Sequence, residues 1–265
     1  MRTLLAPGQN TELIGLDLAD LADGETLDLT RDTGGGPEGQ GGGKNTEIAA
    51  VVLSGTVDVM IDDAPLGRAG GRGNVFEGAG YTVYAPPAAT IRLRAVDGAA
   101  QLAIASAPLL EGGKPGPARV IGPDDQDIAH RGDGNWARTV RTILGPGDAA
   151  GRLLMGETIN PPGNWSSYPP HKHDTEEPPR EVKLEEIYLF KLDPEGGFGV
   201  QIRYDGDGEE CFTVRDGDVA AIPAGYHPVV AAPGYSLYYL WVMAGEGRAM
   251  IPYLDPSHAW VQEAT

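Results

Sequence analysis

From residue 46 onward the chain is built of short runs of β-branched, aliphatic and aromatic residues, many alternating with polar positions. Gly, Pro, Asp or Asn interrupts them about every ten residues. Residues 47–60 predict a strand, a turn at Gly55 and a second strand. Gly73 to Glu77, Tyr81 to Ala85 and Ala89 to Ala95 predict three more, with Gly78-Ala79-Gly80 as a turn between the first two. The grammar returns in the second half at Arg152 to Ile159, Glu186 to Phe190, Phe198 to Tyr204, Cys211 to Val214, Val219 to Pro223 and Ser236 to Met243. Few stretches carry a helical period, so the expected class is all-β, a sandwich or barrel. One unit recurs: Gly73-Asn74-Val75-Phe76 with Tyr84-Ala85-Pro86 matches Gly217-Asp218-Val219-Ala220 with Ile222-Pro223-Ala224, each a Gly turn, a strand and a Pro corner. That recurrence suggests two stacked barrels of one type. The first covers residues 1–110 and the second 141–265, joined by a Gly-, Pro- and Asp-rich connection over 111–140.

Two segments carry no such pattern. Residues 33–43 are mostly glycine and predict a mobile loop, because ordering them costs much backbone entropy. A phosphate cradle there would need a helix start or a Lys-Ser/Thr pair, and neither follows. His130-Arg131-Gly132, inside the connection, reads as a linker turn, with a substrate-facing element as the alternative.

Composition narrows the function classes. The 39 glycines and 22 prolines suit many turns, and 41% hydrophobic residues suffice for real cores. A formal charge of −18 and a pI near 4.5 repel polyanions and anionic lipid, which argues against nucleic-acid and membrane partners. The opening Met1-Arg2-Thr3-Leu4-Leu5-Ala6-Pro7 has too short an apolar run for a signal peptide. Cys211 is the single cysteine, so no intrachain disulfide can form and a reducing cytoplasm is the expected location. Cys211 itself reads as a small core or surface residue.

The candidate chemistry sits in the second half. On a strand, His171 and His173 point their imidazoles to one side and Lys172 to the other. Of the nearby carboxylates, Glu177 precedes Pro178-Pro179, whereas Glu186 opens the buried-strand run Glu186-Ile187-Tyr188-Leu189-Phe190 and shares a face with Tyr188 and Phe190. Glu186 is therefore favoured, with Glu177 as the substitute. His227 follows a Pro223-Ala224-Gly225 corner. Three imidazoles and one carboxylate suit zinc, manganese, iron, nickel or cobalt, with positions left for water or substrate.

The segments Pro162 to Asp174, Leu184 to Tyr188 and Pro223 to Pro228, with His130-Arg131-Gly132, resemble the cupin superfamily and, more narrowly, the 5-deoxy-glucuronate isomerases of bacterial inositol catabolism. The resemblance implies a bicupin (two double-stranded β-helix barrels) with a metal in the C-terminal barrel and none in the N-terminal one. Residues 1–129 contain no histidine, in agreement. It implies conversion of 5-deoxy-glucuronate to 2-deoxy-5-keto-gluconate with a divalent ion bound at His171, His173, Glu186 and His227. Zinc stands first, then manganese or iron. The gap from His173 to Glu186 is longer than in most cupins, which predicts a hairpin extension between them.

For this reaction the candidate bases are Glu185, Tyr188, Asp174 and a metal-bound hydroxide. The substrate carboxylate needs a clamp, for which Gln201 and Arg203 are the candidates unless they form the solvated face of an edge strand. Trp165, Tyr226, Tyr239 and Trp241 read as packing. Two other readings stand beside the isomerase: a metal-dependent dioxygenase, and a non-catalytic sugar-binding bicupin. The expected partner is a small sugar acid, and exposed edge strands make a homodimer the candidate assembly.

Overall fold

The computed structural model describes residues 1–29 and 45–263; the glycine-rich loop read at 33–43 lies outside them. The chain divides into two units, Met1–Gln126 with Gly147–Leu153, and Asp127–Pro146 with Leu154–Thr265. Both are built of strands, and no helix among the described residues is long and apolar enough to cross a membrane. Residues 111–140, read as a connection, carry one strand of the first unit and one and a half of the second.

In the first unit, β1 (Arg2–Leu5), β2 (Gly15–Leu21), β3 (Thr26–Leu29), β4 (Thr46–Ile61), β5 (Ala64–Arg72), β6 (Thr82–Ala85), β7 (Ile91–Pro108) and β8 (Arg119–Ile121) form one antiparallel sheet. Its order is β1-β2-β7-β4-β6-β8, with β3 also on β7 and β5 also on β4. Ile48, Ala50 and Val52 of β4 alternate onto one face and pack with Leu102 and Ile104 of β7 in a continuous core. Gly55 does not end a strand as its residue type suggested. It sits at φ +80° within β4, where the register to β5 and β7 shifts, so the long strand bends through a bulge. A Cβ there would stand 2.2 Å from the Ala99 carbonyl oxygen, which restricts the position to glycine. Gly73 to Glu77 is likewise not a strand. The Asn74 side chain accepts from the Phe76 amide and caps a 3-10 turn over Val75–Glu77. In the first unit the strand that runs into the Pro corner is β6 alone, after Gly78-Ala79-Gly80 and before Pro86.

The same unit buries a carboxylate. Glu47, on β4, is wholly inaccessible and accepts from the backbone amides of Gly151, Arg152 and Leu153, each at 2.6 Å, and from the Tyr84 hydroxyl at 2.6 Å. Burial, then the Glu47 charge, push the Tyr84 phenol far above its ordinary value, so it stays a donor.

The second unit contains β9 (Asp127–Arg131), β10 (Arg138–Leu144), β11 (Leu154–Asn160), β12 (Trp165–Ser166), β13 (His171–Lys172), β14 (Leu184–Asp193), β15 (Gly199–Tyr204), β16 (Glu209–Val214), β17 (Val219–Ile222), β18 (Val229–Ala231), β19 (Ser236–Gly245) and β20 (Tyr253–Leu254). One sheet runs β17-β14-β19-β11-β10-β9 and another β12-β18-β15-β16, while β13 pairs with β20. Their inward residues meet in one core, with Tyr188, Phe190, Tyr239 and Trp241 from the first sheet and Val214, Val229 and Ala231 from the second. Part of this inner face lines a cavity.

Candidate metal centre

Backbone geometry brings three imidazoles together. β13 spans only His171 and Lys172, yet His173, just beyond it, still turns its ring to the same centre. The ligating atoms of His171, His173 and His227 all lie within 4.8 Å of one another. His173 and His227 are buried, and Glu186 is 4% exposed. The Glu186 Oε2 atom lies 3.1 Å from His173 Nε2 and 3.3 Å from His227 Nε2.

The other ring nitrogen of each histidine faces a backbone carbonyl. Nδ1 of His171 is 3.4 Å from the Pro169 oxygen, that of His173 is 2.8 Å from Leu184, and that of His227 is 2.9 Å from Gly225. A carbonyl can only accept, so each Nδ1 carries its proton and each Nε2 is free to present a lone pair toward the centre. A carboxylate facing such lone pairs is repelled unless a cation, either a proton or a metal ion, lies between them. Burial, then the charges His227 and His173 would carry, hold the His171 imidazole down to about 3, which keeps it neutral. Burial is the largest influence on His173 and opposes its charge, but the hydrogen bond to Glu186, the Glu186 charge and the backbone contacts together outweigh it and raise the pKa. Burial alone would lift the Glu186 carboxyl; His173 and His227 instead bring it down to about 2. His227 Nε2 is buried with no hydrogen bond of its own. This donor set fits a divalent ion of borderline softness.

The segments that carry these side chains are braced to each other. Glu181, 1% exposed, accepts from the amides of Asp174 and Thr175 at 2.7 and 2.8 Å, and from Lys172 Nζ at 3.2 Å. Asp174 also pairs with Lys172 and accepts from the Gly225 amide at 2.9 Å, tying the His173 loop to the corner before His227. Burial would raise the Asp174 carboxyl, but Lys172 and the Gly225 amide hold it at about 2. Glu177 points elsewhere; it is exposed and pairs with Arg180 at 3.5 Å, so it cannot substitute for Glu186.

A cavity of about 150 Å³ opens beside this centre. His171, His173, Glu186 and Tyr188 line it, together with hydroxyls from Thr158, Ser166, Ser167 and Tyr239 and an apolar wall that includes Leu184, Trp241 and Met243. Ser166 and Tyr239 share a hydrogen bond of 2.5 Å, and Ser167 and Tyr188 one of 2.8 Å. Ser167 takes φ +49°, a strained angle for a residue with a Cβ, and so aims its hydroxyl at Tyr188. Burial first, then the nearby charges of Glu186 and Tyr239, raise the Tyr188 phenol well above its ordinary value. It is a neutral donor here.

Several expected roles require correction. Glu185 alternates to the opposite face of β14 from Glu186 and is not among the residues lining the cavity, so it cannot act there as a base. Asp174 is likewise absent from the lining and is committed to the brace. Gln201 is fully buried rather than solvated, and its Nε2 donates to the carbonyls of His227 at 2.8 Å and Pro228 at 3.0 Å. It supports the backbone at His227 and does not line the cavity. Arg203 turns outward to Glu210 at 2.7 Å and to the Ala221 carbonyl. The cation that does line the cavity is Arg138, at the start of β10, which the reading of 111–140 as a connection left aside. Its alternation with Val140, which also lines the cavity, was the available signal. Tyr239 and Trp241 both pack the core and line the cavity, and their period-two spacing along Ser236 to Met243 pointed there. His130 lies on β9 against Thr139 and takes no part.

Residues 4–261 match the KduI/IolB family. The chain is 39% identical over 256 residues to the 5-deoxy-glucuronate isomerase of Geobacillus kaustophilus, covering 96% of this chain and 87% of that protein. Among solved structures it resembles an IolB-like protein from Salmonella typhimurium, with a TM-score of 0.86, 34% identity and coverage of 95% and 91% of the two chains. It also resembles oxalate decarboxylase of Bacillus subtilis, described with Mn(II) centres, with a TM-score of 0.61, 12% identity and coverage of 96% and 77%. At that identity the likeness concerns the fold alone.

Proposed function

The chain belongs to the KduI/IolB family, and on that premise we propose that it is an aldose–ketose isomerase acting on 5-deoxy-glucuronate to form 2-deoxy-5-keto-gluconate. We propose further that each unit is a cupin barrel and that only the second holds a divalent ion. Zinc is the first choice, and manganese or iron would suit the same donors. The observation that carries the reading is the convergence of three Nδ1-anchored imidazoles with Glu186 beside a cavity lined by hydroxyl groups.

The reaction moves one hydrogen between neighbouring carbons while a carbonyl and a hydroxyl exchange places, so negative charge builds on oxygen. A divalent ion bound by His171, His173, Glu186 and His227 would stabilise that charge and lower the hydroxyl pKa. Tyr188 keeps its Oη proton and, steadied by Ser167, donates to the developing oxyanion. Tyr239 and Ser166 form a second neutral hydroxyl pair on the same wall. Glu186 is the only carboxylate lining the cavity among the described residues, and a carboxyl held at about 2 suits a ligand better than a base. The apolar wall of Leu184, Trp241 and Met243 limits water around the reacting carbons. Relatives named as isomerases favour this reading over the dioxygenase and over a non-catalytic sugar binder.

The test is metal analysis of the purified chain together with an anaerobic assay on 5-deoxy-glucuronate. About one divalent ion per chain and ketose formation without oxygen uptake are expected. Tyr188→Phe should keep the metal and lose on the order of 10²-fold in kcat, as removal of one oxyanion donor does elsewhere. A metal-loaded protein that consumes oxygen, or that forms no ketose, would overturn the assignment.

A further inference from the structure

Arg138 is unlike the other arginines whose side-chain contacts place them in ion pairs. Arg68, Arg92 and Arg203 each meet a carboxylate at 2.7–2.9 Å. Arg138 has no carboxylate within ion-pair distance among the described residues, although it lines the cavity and is half-buried. Its Nη1 donates to the Trp136 carbonyl at 3.1 Å and its guanidinium lies 5.7 Å from the Trp136 ring centroid, which fixes the fork from one side. Its Nε is buried and donates to nothing. The polar groups that share its cavity are the hydroxyls of Thr158, Ser166, Ser167, Tyr188 and Tyr239, the imidazoles of His171 and His173, and the single carboxylate Glu186, which is engaged by His173.

A half-buried guanidinium with an idle donor is costly unless an anion completes it. Burial lowers its pKa, with Tyr239 and Tyr188 opposing and Arg131 adding to the shift, yet a guanidinium remains charged at neutral pH. The whole chain carries a formal net charge of −18, a field that turns anionic substrates away, so capture of a sugar acid calls for a local cation.

We propose that Arg138 is the anion subsite of this cavity and binds the carboxylate of a sugar acid. The subsite reads one end of the substrate while the imidazole and Glu186 cluster takes the carbonyl end. A chain molecule with two different ends is then held in one direction, and that direction selects the carbons to be isomerised. The identity of the sugar acid rests on the isomerase reading; capture of a carboxylate by Arg138 does not.

The experiment measures binding of D-glucuronate and of D-glucose to the full chain by calorimetry, alongside KM and kcat for 5-deoxy-glucuronate. Wild type should bind glucuronate in preference to glucose. Arg138→Gln should weaken glucuronate binding and raise KM, each by about 10- to 100-fold, with a smaller change in kcat, as expected for loss of a charge-assisted pair. Arg138→Lys restores the charge without the fork and should recover part of the loss. Thermal unfolding of both variants separates loss of the ligand contact from loss of the fold. Unchanged glucuronate affinity and KM in a folded Arg138→Gln protein would overturn the subsite, as would a fall in kcat and stability alone. Binding that depends on Arg138 in a protein without isomerase activity would sink the isomerase reading and leave the subsite standing; activity indifferent to Arg138 would do the reverse.

Discussion

His227→Ala is expected to abolish retention of the divalent ion and to lower kcat/KM for 5-deoxy-glucuronate by about 10³-fold or more. His227 is completely buried, its Nδ1 is committed to Gly225, and its Nε2 has no role except toward the centre. Alanine would remove one of the converging donors and leave the Glu186 carboxylate compensated by His173 alone. Loss of several kcal/mol of charge stabilisation corresponds to a rate loss of this order. Metal content after dialysis and steady-state kinetics measure the two effects. A variant that keeps its ion and most of its rate would mean the cluster is structural. Gln201→Leu offers a graded comparison, because Gln201 reaches the centre through backbone carbonyls, those of His227 and Pro228 beside that of Ile202. A loss of about 10- to 100-fold in metal affinity, without its abolition, is the expected result for such a supporting contact.

In the first unit, Glu47→Ala is expected to cost roughly 3–5 kcal/mol of stability and to lower the unfolding midpoint by about 10 °C. The carboxylate is the common acceptor for three consecutive amides, Gly151 to Leu153, and for Tyr84. Without it those buried donors lose their partner at about 1–3 kcal/mol each, part of which entering water recovers. Glu47→Gln keeps the shape but turns an NH₂ group toward N–H donors, so it should be nearly as damaging. Tyr84→Phe removes a single contact and should cost about 1 kcal/mol. Thermal unfolding of the three variants checks the order, and a Glu47→Ala midpoint equal to wild type would refute it.

The converging cluster was legible because metal chemistry restricts residue type and strand geometry restricts spacing. Histidine is scarce in this chain, with five in all, and His171, His173 and His227 stand apart from any helical or packing pattern. Glu186 was separable from Glu177 by local context alone: one opens a buried strand, the other precedes a Pro-Pro pair. The structure puts the first at 4% exposure and the second on the surface beside Arg180. Alternation along β14 turns Glu185 away from Glu186, a signal at odds with its expectation as a base. Where a local rule had two outcomes, sequence chose less well. Gly55 permits a positive φ in a hairpin turn or in a bulge, and only the pairing of β4 along its full length with β7 selects the bulge. Gly73-Asn74 opens a strand or caps a turn with equal ease, and the Asn74 side chain makes it the second.

What the one-dimensional chain determined by itself is the all-β class, the identity of the four converging side chains and the family they resemble, because period-two patterning and ligand chemistry are properties of neighbouring residues. What only the tertiary structure decided is the use of the polar residues that flank them. Gln201 braces His227, Asp174 joins two loops, Arg203 turns to Glu210 and Arg138 enters the cavity. Each of these side chains could make its hydrogen bonds with water or with any of several partners. Which one it meets depends on contacts between strands far apart along the chain, and no local pattern encodes them.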